Sequence, residues 1–457
     1  MFLRNQPPGR MIVAGFAAVI LLGMLVLLLP ISVKDGAEVT LIDALFTSTS
    51  AVCVTGLIAI DTADHFTAFG QGVVAALIQV GGLGVIACMS AFFLLLGKKI
   101  NMKGRITIQQ AYGLDTLSGL VKFVIRILKG TFLVEGIGAV LFSLRFIPEF
   151  GFIKGVGYAI FHSVSAFCNA GIDILGSTSF IQYSGSWLIN FTTMFLIVMG
   201  GLGFPVWHDI AINIKKMTEI KKRPLKWLFT RLCLQSKIVL TMTGLLILCG
   251  AVGFFLLEFN NPETMGDMNL LEKMTASLFQ SVTTRTAGFA TVPQGDLRES
   301  SKLLGCMLMF IGGSPAGTAG GVKTTTIAML LLTVLCVLKN KRDTECFARK
   351  IDNNIVRSGI TITMITLIFL MSGITALTIF EPGIDFLDLT YEAASAMGTV
   401  GLTADLTPIL SRGSHVILMI LMYVGRIGPL TMALALSGRS DKISKFRELP
   451  EENVMLG

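Results

Sequence analysis

The sequence predicts an all-α polytopic membrane protein: four helix, pore-loop, helix repeats around a pseudo-fourfold central pore, with eight spanning helices and four re-entrant loops. Three observations predict it. Of 457 residues, 53% are hydrophobic and 14% charged, with a mean hydropathy of +0.74, whereas soluble domains carry about 25% charged residues. Apolar stretches of bilayer-spanning length recur along the whole chain. Between them, a short segment rich in Ser, Thr, Ala and Gly returns four times at a near-constant interval.

Repeat 1, residues 1–97, opens on the apolar stretch Met11 to Leu29. It exceeds a signal-peptide core and no small-residue cleavage pattern follows, so a retained helix is expected. The segment TSTSAVCVTGL (47–57) and a helix bearing QVGGLG (79–84) complete the unit. Repeat 2, residues 98–215, offers HSVSAFCNAGI (162–172) and VMGGLG (198–203). Repeat 3, residues 216–340, offers QSVTTRTAGF (280–289) and FIGGSP (310–315). Its second apolar helix, Ser301 to Leu338, is too long for one span and is interrupted over residues 312–321. Five glycines and a proline there, with Val322 and Lys323 following, do not hold a helix. A broken helix with a flexible middle across the pore is expected. Repeat 4, residues 341–457, offers EAASAMGTVGL (392–402), YVGRIG (423–428) and a polar tail.

The terminal glycines of the four short segments are Gly56, Gly171, Gly288 and Gly401, spaced 115, 117 and 113 apart. Each segment is too short to span, so it enters the membrane and turns back. Backbone that is not helical at that depth persists only where protein buries it or water reaches it. Glycine at the turn permits positive φ, and carbonyls aimed at a common axis replace the hydration shell of a monovalent cation. The helix entering each loop directs its negative end inward. The downstream pairs place Gly82, Gly201, Gly313 and Arg426 in one column. Three repeats thus leave room where the fourth carries a cation, so Arg426 is expected to project into the pore below the loops as a barrier or part of a gate, with a structural arginine paired with a carbonyl or carboxylate as the bland alternative. Arg285, three residues before Gly288, fits poorly in a cation path and is read as a strut behind the loop, with an outer-mouth role as the alternative.

Lys and Arg residues group in the N-terminus, in 97–130, 213–238 and 339–357, and after Gly438, which puts the termini and the links between repeats on the cytoplasmic side. The opposite face carries Asp61, Asp64, Asp173, Asp296, Asp385 and Asp405, a mouth whose sign concentrates cations. The net charge of +8 is spread over those links rather than gathered in one patch, which argues against a nucleic-acid partner. The eight cysteines stand singly without metal-ligand spacing, and the four histidines form no i, i+4 pair. No convergent catalytic set points to an enzyme. The stretch ending Val322-Lys323-Thr324 mimics a phosphate loop, but Val322 stands where the motif needs glycine and no strand precedes it.

Taken together, the four single-glycine loops, QSVTTRTAGF, the GTAGGVK break and YVGRIG resemble the Trk/Ktr/HKT superfamily of potassium transporters across essentially the whole chain, and the bacterial KtrB-type membrane subunit most. The resemblance implies potassium uptake across the cell membrane, with potassium at the filter, no covalently bound cofactor and sodium dependence left open. It implies a selectivity filter at Val54, Thr55, Gly56, Asn169, Ala170, Gly171, Thr286, Ala287, Gly288, Thr399, Val400 and Gly401. It implies a gate made of Arg426 with the intramembrane loop residues Gly312, Gly313, Gly317, Gly320, Gly321 and Lys323. It further implies a homodimer in the lipid bilayer on a cytosolic ring of KtrA-like regulatory subunits, with nucleotide bound only on those partners. Short cytoplasmic links agree with that, since none has the length of a regulatory domain. An alternating-access cation carrier is the alternative reading, because carriers also use repeats and broken helices.

Overall fold

The computed structural model describes residues 8–85, 88, 119–176, 178–219, 225–341, 343–428, 431 and 432. The expected boundary between repeats 1 and 2 and the tail after Gly438 lie outside the described residues. Repeat 1 comprises α1 (Pro8–Leu27), α2 (Leu41–Cys53), the single turn α3 (Thr62–His65) and α4 (Ala68–Leu83). Repeat 2 comprises α5 (Leu120–Phe150), α6 (Phe152–Cys168), α7 (Trp187–Gly201) and α8 (Phe204–Glu219). The expected boundary at residue 215 falls inside α8, and α9 (Leu225–Arg231) follows. Repeat 3 comprises α10 (Leu234–Glu258), α11 (Leu270–Thr283), α12 (Glu299–Phe310) and α13 (Thr324–Leu338). A minimal hairpin, β1 (Glu345–Cys346) with β2 (Arg349–Lys350), leads to repeat 4: α14 (Asn353–Phe380), α15 (Phe386–Gly398) and α16 (Arg412–Ile427).

Helices α1, α5, α10 and α14 are each long and apolar enough to cross a membrane. They form the outer ring, and residues such as Leu22, Leu133, Leu248 and Ile368 are exposed on them, as a lipid-facing surface requires. Helices α2, α6, α11 and α15 are the short loop helices, and their last turns are almost wholly buried. The neighbours close a ring: α4 packs on α6, α7 on α11, α12 on α15, and α16 returns to α2. The second helix of each repeat therefore supports the loop of the next one.

One packing rule is repeated around the ring. Gly23, Gly138 and Gly250 on the outer helices leave room for Ser48, Ser163 and Ser281 on the loop helices and for Leu77, Leu196 and Leu308 on the second helices. Each serine hydroxyl donates to the outer-helix carbonyl three residues before the glycine, at Ile20, Glu135 and Ile247. In repeat 4, Gly373 meets Leu421 in the same way. Small residues at such crossings let helices approach where lipid gives no hydrophobic drive. Gly250→Val should push Ser281 and Leu308 away and break the Ser281 hydrogen bond, costing about 2–4 kcal/mol. A large fall in the melting temperature of the purified protein is expected, and an unchanged one would refute this packing.

The sequence reading confined the helix break to repeat 3. The structure extends it, because α4 and α16 also stop at a glycine of positive φ, Gly84 at +87° and Gly428 at +92°, and α7 ends just before Gly203 at +88°, with Leu202 between them. In repeat 2 the chain bends by 96° between α7 and α8. The last glycine of VGGLG, MGGLG and GRIG marks the break, since a Cβ there would oppose the positive φ.

Candidate functional site

Each loop helix points its C-terminus at the centre of the ring and ends in the same backbone sequence. Val54, Asn169 and Thr399 are left-handed caps at φ 56°, 62° and 52°, and Thr286 stands at 72°. Two residues later Gly56, Gly171, Gly288 and Gly401 adopt φ of 99°, 66°, 86° and 94°. Sequence reasoning foresaw the positive φ only at the glycines. The residue two places earlier shares it, and at Val54, Thr286 and Thr399 a β-branched side chain occupies a conformation that costs on the order of 1–3 kcal/mol. Such strain persists only when the surroundings over-determine it. Here they do: Gly56 N and Gly401 N donate to Ser50 Oγ and Ser395 Oγ at 3.0 Å, while Ser165 Oγ and Thr283 Oγ1 donate to the carbonyls of Ile172 (2.6 Å) and Phe289 (2.7 Å). The third loop is one residue tighter, with Ala287 N bonding the carbonyl four residues back where the other loops reach five.

The four loops meet head to tail. A Cβ on Gly56 would strike the Ala170 carbonyl oxygen, one on Gly171 that of Ala287, one on Gly288 that of Val400, and one on Gly401 that of Thr55. The circuit closes, so no glycine of the ring accepts a side chain without opening it. All twelve residues expected to form a filter are buried there, and among the described residues none donates a hydrogen bond to any of their backbone carbonyls. Buried carbonyls are nearly always paired. A cluster of unpaired ones around a fourfold centre has the chemistry to replace part of a cation's hydration shell.

On one side of the ring, a cavity of about 120 Å³ is lined by the four glycines together with Asp173, Thr403 and Asp405. Asp173 lies in the segment leaving the second loop, outside the spanning helices. Burial, with a smaller push from Asp61, raises its carboxyl to about 7.

On the opposite side of the ring, the break of repeat 3 lies against the loops. Residues 311–323 double back so that Gly312 N bonds Val322 O (2.9 Å) and Thr324 N bonds Gly313 O (3.0 Å). Ser314 N and Thr318 N donate to the carbonyls of Gly201 (3.0 Å) and Gly200 (3.2 Å), and Thr318 Oγ1 donates to Phe167 O (3.2 Å). Gly320 abuts Thr399, Gly317 packs beside Gly200 and Gly203, and Gly321 takes φ +65°. Lys323 donates to Ala319 O at 2.7 Å. Arg426 crosses under the ring from repeat 4: Nη1 donates to Thr318 O, and Nη2 to Gly81 O (2.6 Å) and Gly82 O (3.3 Å). Of the seven residues expected at a gate, six lie in the repeat 3 loop, and Arg426 joins that loop through Thr318 O; among the described residues its guanidinium bonds carbonyls and no carboxylate.

The glycine column turns out to serve two purposes. At Gly82 and Gly313 the missing side chain lets Cys168 and Ala319 approach, and the carbonyls of Gly82 and Gly201, with those of the preceding Gly81 and Gly200, accept the bonds that fix Arg426 and the repeat 3 loop. Thr318 was missed because nothing in its sequence context marks a carbonyl that receives an arginine. Arg285 points away from the ring. Its Nη1 reaches Thr243 O at 3.4 Å in a small cavity shared with Gly201 and Gly313.

The sequence matches the TrkH family, described as cation transport protein, over residues 11–446. It is 38% identical over 461 residues to the potassium/sodium uptake protein NtpJ of Enterococcus hirae, covering 99% of this chain and 98% of that protein. It is 37% identical to the Ktr system potassium uptake protein B of Bacillus subtilis, covering 100% and 98%. Among solved structures, the potassium transporter TrkH from Vibrio parahaemolyticus shares the fold at a TM-score of 0.75 and 19% identity, covering 95% of this chain and 86% of that one.

Proposed function

The chain belongs to the TrkH family of cation transport proteins, an integral membrane transporter and not an enzyme, and from that premise we propose that it carries potassium into the cell through the central ring of loops. The observation that carries this reading is the closed circuit of unpaired carbonyls between the four positive-φ glycines. Potassium sheds its hydration shell onto such oxygens more readily than sodium does. Two named relatives act on potassium, which supports the same ion here. The filter comprises the twelve loop residues from Val54 to Gly401 already described. The gate is Arg426 with Gly312, Gly313, Gly317, Gly320, Gly321 and Lys323, held shut by the carbonyls of Thr318, Gly81 and Gly82.

Basic residues on the links favour cytoplasmic termini in the cell membrane. The name of the Ktr system relative fits a membrane subunit working with other components, and we take these to be a second copy of the chain and a cytosolic nucleotide-binding ring. Opening then means that the ring withdraws the repeat 3 loop and breaks the Arg426 bonds. The test is growth of a strain lacking its own potassium systems. The wild-type chain with a cognate ring should restore growth at low potassium, and failure at normal expression would refute the assignment.

A pH dependence follows from the mouth. Asp173 is ionised above about 7 and neutral below it, so the cavity carries more negative charge at pH 8 than at pH 6. Apparent potassium affinity should weaken as pH falls across that window, because less cation gathers at the mouth. Asp173→Asn should show the weak affinity at both pH values. A wild-type affinity that is flat between pH 6 and 8 would exclude Asp173 as the source of mouth charge.

A further inference from the structure

The four loops are not braced alike. Allowing for the shorter turn of the third loop, one position on the loop helices is occupied by Thr47, His162, Gln280 and Glu392, the first three each just before the serine that bonds the outer helix. Thr47 Oγ1 and His162 Nε2 are buried without a hydrogen-bond partner among the described residues. Gln280 and Glu392 instead grip the chain that leaves their own loop. Gln280 exchanges two side-chain hydrogen bonds, 2.6 and 3.1 Å, with Gln294, six residues beyond Gly288. Glu392 is fully buried. Its Oε1 accepts from Thr403 Oγ1 and from Ala404 N (3.0 Å), and its Oε2 accepts at 2.8 Å from Thr407 Oγ1, six residues beyond Gly401.

The two braces are joined. Tyr391, the neighbour of Glu392 on α15, donates to Gln294 Oε1 at 2.9 Å. One turn of α15 therefore holds the exits of both the third and the fourth loop. Between them stands Asp405, at a positive φ of 62°, lining the mouth cavity with the four glycines and hydrogen-bonded to the Gly295 backbone. A left-handed aspartate needs its flanks fixed, and its flanks are Ala404 and the 403–407 turn that Glu392 grips.

We propose that Glu392 is a positioning residue for ion selection. Through Thr403, Ala404 and Thr407 it fixes the exit of the fourth loop, and so sets the carbonyls of Val400 and Gly401 and the carboxylate of Asp405. Charge-assisted bonds to a buried carboxylate are about twice as strong as neutral ones. An amide at the same place has one acceptor oxygen for three donors, so the turn loosens even though the side-chain shape is kept. The third and fourth loops form the stiff half of the ring, and the first and second adapt to it. This rests on the reading of the loops as the potassium filter.

The test compares potassium and sodium uptake by the full-length protein with its cytosolic partner, normalised to folded protein. Glu392→Gln should lower the preference for potassium by about tenfold, the scale of one charge-assisted hydrogen bond, while the maximal rate persists. Thr403→Val should shift it in the same direction and Thr403→Ser should not. Adding Asp405→Asn to Glu392→Gln should change the preference little further if the glutamate acts through that turn. If Glu392→Gln changes only the yield of folded protein, or depresses both ions equally, the brace is structural and the proposal fails. If that variant does not fold, an unchanged preference in Thr403→Val overturns it. A wild-type protein that does not prefer potassium removes the filter reading itself, and that result is visible before any variant is made.

Discussion

Gly288→Ser should abolish most of the preference for potassium over sodium while leaving the protein folded. Two effects combine at that position. A side chain at φ +86° is strained by roughly 1–2 kcal/mol, and its Cβ would fall against the Val400 carbonyl oxygen and the Cα atoms of Gly171 (3.1 Å) and Gly401 (3.2 Å). The ring relieves the clash by widening, which separates the carbonyls that replace the hydration shell. Each 1.4 kcal/mol lost in differential binding is about tenfold in selectivity, so a loss of tenfold or more is expected. Gly36→Ser separates strain from clash. Gly36 has φ +83° with nothing within 4 Å of a built Cβ, so it should cost some stability and no selectivity. Equal selectivity losses in the two variants would mean that the ring geometry is not the cause.

Arg426→Gln should raise unregulated uptake. The guanidinium holds the carbonyls of Thr318, Gly81 and Gly82 together, and hydrogen bonds from charged donors contribute about 1.5–3 kcal/mol each. Losing about 3 kcal/mol from the shut state shifts a two-state gate by more than a hundredfold. Glutamine is also neutral, so the cationic barrier under the filter goes as well. Arg426→Lys keeps the charge but cannot fork to three carbonyls, so it should leak less than the glutamine variant. Flux through isolated protein in liposomes, without regulatory partners, reads this directly. Slower uptake in Arg426→Gln than in the wild type would show that the arginine serves conduction and not closure.

The register of the four glycines was legible because a backbone demand at one place in each repeat can be met by only one residue type. The column Gly82, Gly201, Gly313 and Arg426 was legible on other grounds, since one arginine stands in register with three glycines. What stayed hidden was set by tertiary structure. Val54 and Thr399 lie in the left-handed region because serines at positions 50 and 395 and the neighbouring loops fix the turn after them, and nothing about a valine or threonine announces that. The breaks at Gly84, Gly203 and Gly428 were present in the quoted motifs, yet one glycine inside an apolar stretch reads as packing until its φ is known. Glu392 was quoted as the first residue of EAASAMGTVGL. Its partners lie 11 to 15 residues further on, across a turn whose path the sequence does not specify.

The central claim is that the carbonyls around Gly56, Gly171, Gly288 and Gly401 hold the transported ion. Crystals of the protein grown in rubidium, a scattering substitute for potassium, test it most directly. The account predicts an anomalous peak on the ring axis beside the carbonyls of Thr55, Ala170, Ala287 and Val400, and its disappearance when sodium replaces rubidium. A transport-competent protein whose only rubidium peak lies away from those carbonyls would contradict it.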